Sequence, residues 1–148
     1  MSGITLLVED KGWRAHRGLQ TRLKLAAEAA RKAARLKGDV TILLASDKKL
    51  AALNRGFRGK DRPTNVLSFP GHDGYAGDIA MAYGVTSKEA KAASKTLIDH
   101  ATHLVVHGVL HLAGYDHERP KDAAVMEPLE VKILKRLGIA DPYAVPAS

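Results

Sequence analysis

Three histidines in the stretch HGVLHLAGYDH, residues 107 to 117, constrain the fold more than any other feature of the chain. His107 and His111 are four residues apart, so on a helix their rings leave the same face one turn apart. Two imidazoles placed this way can close on one ion through nitrogens at roughly 2.0–2.1 Å. A third ligand must then come from a chain that turns back toward that face. Gly114 offers the turn, because it can take the left-handed conformation that ends a helix, and His117 follows three residues later. Three protein ligands leave a fourth position open, which is the pattern of a catalytic rather than a structural zinc site. The expectation is therefore one Zn2+ ion per chain on His107, His111 and His117, although three imidazoles also suit copper or nickel.

The spacing is that of the metzincin proteases, ligand for ligand. In those enzymes, however, a glutamate follows the first histidine and serves as the general base. Here that position is Gly108. Peptide hydrolysis by the usual route would lack its base, so metal-assisted hydrolysis of another substrate gains weight. Asp116 and His103 are candidates to orient the ligands from behind. His103 also stands four residues before His107, but a turn further from Gly114, where a third ligand could not easily reach. His100 lies roughly 10 Å from His107 along a helix and is expected at the surface.

The rest of the chain supplies a scaffold. Its 148 residues suit one domain with a real core. There is no cysteine, which removes disulfides, thiolate metal sites and a cysteine nucleophile. Short apolar runs at residues 4–8, 40–45, 66–69 and 78–83 predict four strands. Helical spacing predicts helices from Gly12 to about Lys37, from Asp47 past Leu53 with Ser46 as N-cap, from Thr86 or Ser87 to Leu112, and from Pro120 to Leu137. The segment from Arg55 to Asn65 predicts a loop. The expected fold is α+β: a single domain, residues 1–148, with a four-stranded mixed sheet packed with helices, a zincin-like metal-binding helix, and a flexible tail at 141–148.

The formal net charge is +7, which favours a polyanionic partner. Nine Lys or Arg and one acid lie between Lys11 and Lys37, either as a solvated helix face or as a surface that meets phosphates. Trp13 is the one residue there able to stack on a base. The N-terminal apolar run is too short for a signal peptide, and no stretch is long enough to span a bilayer, so the expected location is the cytoplasm.

HGVLHLAGYDH resembles the signature of the bacterial YbeY family, metal-dependent endoribonucleases of ribosomal RNA maturation. RGFRGKDRPTNVLSFP, residues 55 to 70, resembles that family's second signature, and GDIAMA, residues 77 to 82, its third. The order and spacing of all three agree. The resemblance implies that His107, His111 and His117 hold zinc and that Arg58 is tied to activity. A guanidinium is a planar, permanently charged fork suited to phosphate, and Lys60 and Arg62 would assist it in binding substrate. It further implies cleavage of single-stranded RNA, including the 3′ end of 16S ribosomal RNA, and a part in ribosome quality control. Its implied partners are the small ribosomal subunit, ribosomal proteins and assembly GTPases, with no DNA and no membrane. One departure stands out. Pro128 falls within a stretch that is usually an uninterrupted helix in the family, and would break or kink it. Two other functions fit the residues: a non-catalytic, zinc-containing ribosome-assembly factor that binds RNA, and a zincin-type hydrolase of peptides.

Overall fold

Apolar runs bounded by acids, glycines and prolines pair into one sheet in a computed structural model that describes residues 3–58, 64–116 and 119–143. The strands are β1 (Ile4–Val8), β2 (Asp39–Ala45), β3 (Val66–Pro70) and β4 (Tyr75–Ala82), in the spatial order β1-β2-β4-β3. β1, β2 and β4 run parallel, and β3 lies antiparallel to β4 at the edge. Among the described residues five α-helices complete an α+β fold: α1 (Leu19–Ala33), α2 (Asp47–Arg58), α3 (Tyr83–Ala92), α4 (Leu97–Leu112) and α5 (Pro120–Arg136). No helix among the described residues is long and apolar enough to cross a membrane.

α4 is the central helix. Val105, Val106, Val109 and Leu110 are wholly buried, and they meet Leu19, Leu23, Ala26, Ala27 and Ala30 of α1 and Met126, Ile133 and Leu134 of α5. The small alanine side chains of α1 allow the two helices to lie close. A second, smaller core on the opposite face of the sheet gathers Leu50 of α2 with Ala45, Leu67, Ala80 and Ala82. Burying these apolar surfaces is the main force holding α4 against the sheet.

Several boundaries differ from the sequence expectation for local reasons. The helix expected from Gly12 is instead a 3-10 turn at Lys11–Ala15, and α1 begins only after Gly18, whose φ of +82° ends the first turn. Trp13 is not available to a base: it is fully buried, and its Nε1–H donates to the Ala45 carbonyl at 2.9 Å. The long helix expected from Thr86 or Ser87 is two helices, separated at Ser94 with φ +56°. Thr96 caps α4, its hydroxyl accepting from the Asp99 N–H at 3.1 Å. Ser46 caps α2 as expected, accepting from the Lys49 N–H, but α2 runs on to Arg58, into the segment expected as loop. α5 continues through Pro128 from Pro120 to Arg136. Pro128 and Ala124, whose carbonyl loses its usual partner there, are both exposed, so water can satisfy the orphaned oxygen.

Candidate metal centre and its cleft

α4 is buried along almost its whole length, and the exceptions at its centre and end are histidines. His103, His107 and His111 are half-buried at four-residue intervals, while their neighbours from Leu104 to Leu112 are buried. They form one polar stripe facing a cavity of about 890 Å³. Its other walls are the start of β3, Glu89 of α3, Tyr115 and Asp116 beyond α4, Glu127 of α5, and Tyr143. Gly114 adopts φ +99° and ends the helix as expected, turning the chain toward residue 117.

The ring nitrogens are arranged in order. His107 Nε2 and His111 Nε2 stand 3.0 Å apart. On the other side of the His107 ring, Nδ1 lies 2.9 Å from Glu130 Oε1. Glu130 Oε2 lies 2.8 Å from His103 Nε2 and accepts from the Tyr143 hydroxyl at 2.8 Å. Glu130 is wholly buried. Burial by itself would raise its carboxyl; the hydrogen bonds from His103, His107 and the Tyr143 hydroxyl outweigh that and hold it down to about 2. It is thus a carboxylate at neutral pH, an acceptor for the Nδ1–H of His107, and this leaves the His107 Nε2 lone pair directed away from Glu130 toward His111.

These residues fit a metal ion. Two nitrogens bound to one tetrahedral ion at roughly 2.0–2.1 Å stand roughly 3.3 Å apart, so the Nε2 pair needs little adjustment. A carboxylate behind a ligating imidazole is the usual outer partner of a metal-bound histidine. His103, His107 and Glu130 form a second grouping able to hold an ion, their ligand atoms lying within 4.8 Å of one another. There, though, Glu130 already takes both imidazoles as hydrogen-bond partners, and an ion would have to displace two N–H protons.

Gly108 explains the missing zincin glutamate in steric terms. It is buried against the sheet, where a Cβ would meet Ile79 Cδ1 at 3.1 Å and Ser68 Oγ at 3.2 Å. Its carbonyl accepts from the Ser68 hydroxyl of β3. A Cβ here would need Ile79 and Ser68 to give by a few tenths of an ångström, and a glutamate side chain would have to push both aside.

Of the remaining sequence candidates, Asp116 lines the cleft beside His111. Arg58 closes α2; its side chain, together with Lys60, Arg62 and His117, lies outside the described residues. His100 is not a surface residue. Its side chain is 13% exposed and its Nε2 pairs with Glu89 Oε1 at 2.9 Å, where Asn65 Nδ2 also donates at 3.0 Å. No residue lining the cleft comes from α1, and none of the described lining residues is Lys or Arg. Four of the nine cations of residues 11–37 have partners within the fold: Arg31 bonds Glu28 and the Leu36 carbonyl, Arg22 the Leu137 carbonyl, Arg14 the Val8 carbonyl, and Lys32 pairs with Glu28. Sequence reasoning missed Glu130, Glu89 and Tyr143. Glu130 carried a signal, being an acid set among Met126, Ile133 and Leu134 on the apolar stripe of α5.

Residues 9–138 match the family described as Endoribonuclease YbeY. The chain belongs to that family. It is 45% identical to Endoribonuclease YbeY of Maricaulis maris, over 97% of this chain and 92% of that one. With Endoribonuclease YbeY of a Chelativorans species the identity is 50%, covering 86% of this chain and 83% of the relative. Among solved structures, the fold is similar to TM1509 from Thermotoga maritima, determined in solution, with a TM-score of 0.65 and 30% identity, covering 96% and 99% of the two chains. The matched span takes in the histidine stripe of α4 together with β3 and β4.

Proposed function

We propose that this chain is a zinc-dependent endoribonuclease that cuts single-stranded RNA, with precursors at the 3′ end of small-subunit ribosomal RNA as its substrates in the cytoplasm. The 3.0 Å convergence of the two Nε2 atoms on the cleft carries the reading, together with membership of an endoribonuclease family. His107, His111 and His117 are the ligands. When bound, the ion supplies an electrophile for a phosphoryl oxygen and lowers the pKa of water. Glu130 fixes the tautomer of His107, and the buried floor of α4 keeps the histidine stripe in place. The described walls of the cleft carry acids and no Lys or Arg, so the cations that hold the scissile phosphate come from elsewhere. Arg58, Lys60 and Arg62, just ahead of Thr64 on the cleft wall, supply them. Association with the small ribosomal subunit, ribosomal proteins and assembly GTPases belongs to the same reading.

The test measures zinc content and cleavage of a single-stranded RNA by purified wild type, His111→Ala and Arg58→Ala. The expected result is zinc lost in the first variant, zinc kept in the second, and cleavage reduced at least a hundredfold in both, as for loss of one transition-state contact. If wild type does not cut RNA, the assembly-factor reading replaces this one. The ends of the products bear on the nucleophile: a 2′,3′-cyclic phosphate means attack by the RNA's own 2′-hydroxyl and rules out direct attack by water.

A further inference from the structure

Tyr143 lies where the sequence predicts a flexible tail; it is exposed on the cleft wall, and its hydroxyl reaches the carboxylate behind His107. Its N–H donates to Asp141 Oδ1 at 2.8 Å, closing a short turn around Pro142 that returns the ring toward α4 and α5. There the ring packs edge-on against His103, centroids 5.7 Å apart. Its hydroxyl donates to Glu130 Oε2 at 2.8 Å. The hydroxyl holds its proton more firmly than a free tyrosine, because burial and the neighbouring Glu130 charge both raise its pKa.

Glu130 is wholly buried, and Tyr143, 42% exposed on the cleft wall, is the donor that stands between its Oε2 and solvent. A buried carboxylate keeps its charge only when its oxygens are hydrogen-bonded. Its three donors divide the work. His107 Nδ1 takes Oε1, while His103 Nε2 and Tyr143 Oη share Oε2. Two of these come from α4 itself; the third comes from beyond α5. The C-terminal segment thus pins the far oxygen of the carboxylate whose near oxygen orients His107.

We infer that Tyr143 is a positioning residue of the metal centre, acting through Glu130 on His107 to hold the ligand ring in place for a divalent ion. This rests on the proposed metal site. Removing the hydroxyl leaves Oε2 with one donor, loosens the carboxylate, and weakens its hold on the His107 Nδ1–H. Loss of such an outer contact lowers metal affinity by about tenfold to a hundredfold. The smaller figure applies here, because His103 still holds Oε2.

The experiment uses the full chain as wild type, Tyr143→Phe, Glu130→Gln and the double variant. Zinc affinity is measured by competition with a chromogenic chelator, and the His107 imidazole N–H signal by NMR of zinc-loaded, nitrogen-15-labelled protein. Tyr143→Phe keeps the ring and its packing, which circular dichroism of the metal-free protein verifies. The expected result is affinity about tenfold weaker in Tyr143→Phe, a shifted and faster-exchanging His107 signal, and no further loss when the change is added to Glu130→Gln. Affinity within twofold of wild type, or an equal further loss in the Glu130→Gln background, overturns the inference and leaves the metal site standing. Wild type that binds no zinc overturns both.

Discussion

Gly108 and Glu130 set the character of the site from opposite sides of His107. Gly108 lets α4 lie close on Ile79 and Ser68, which the carboxylate side chain of a zincin peptidase would have to push aside. Glu130 supplies a carboxylate instead to the back of the ring, where it orients a ligand rather than facing the cleft. Two predictions follow at this scale. Gly108→Glu forces a charged chain into a buried contact and should destabilise the protein by at least about 3 kcal/mol, without creating peptidase activity; denaturant unfolding and a generic peptide assay measure both. A stable variant that cuts peptides would contradict the steric account. Glu130→Gln should retain the fold, lower zinc affinity about tenfold to a hundredfold, and lower cleavage at limiting zinc more than at saturating zinc. Equal affinity would mean that Glu130 is only a core residue. The histidine spacing was legible in the sequence because His107 and His111 are local to one helix. The network behind it was not, since Glu130 and Tyr143 reach it from 23 and 36 residues beyond His107, through tertiary packing that periodicity does not encode.

Among the elements, α4 was legible at its end and not at its start. Gly114 marked the C-terminus because the left-handed turn there favours one residue type. The N-terminus was missed because Ser94, a residue that does not usually adopt positive φ, makes the break between α3 and α4. Gly114→Ala should cost about 1–2 kcal/mol, and should weaken zinc binding too, because the same turn directs the chain toward residue 117. Unchanged zinc affinity in a folded Gly114→Ala protein would separate that turn from the metal centre. Pro128 misled in the other direction. A proline forbids one helical hydrogen bond, but Met126, Ile133 and Leu134 keep α5 packed around it. Pro128→Ala should therefore raise stability, by up to about 3 kcal/mol, with zinc content unchanged; thermal unfolding gives the sign.

The whole molecule divides its labour between two faces of α4. The apolar face, against the sheet and α1, provides the core; the narrow histidine stripe opposite is what the core presents to the cleft. The four strands, the mixed sheet and the α+β class seen among the described residues followed from short apolar runs and the residues that bound them. The use of the positive charge did not. α1 carries four of the nine cations of the basic run yet lines no part of the cleft, and Trp13 is spent on the core. The account therefore stands on where the ion sits: on the cleft side of His107, or behind it. Diffraction from zinc-loaded crystals on either side of the zinc absorption edge decides this. The account predicts one anomalous peak roughly 2.0–2.1 Å from both His107 Nε2 and His111 Nε2, with His117 as the third ligand. A peak among His103, His107 Nδ1 and Glu130 would contradict it.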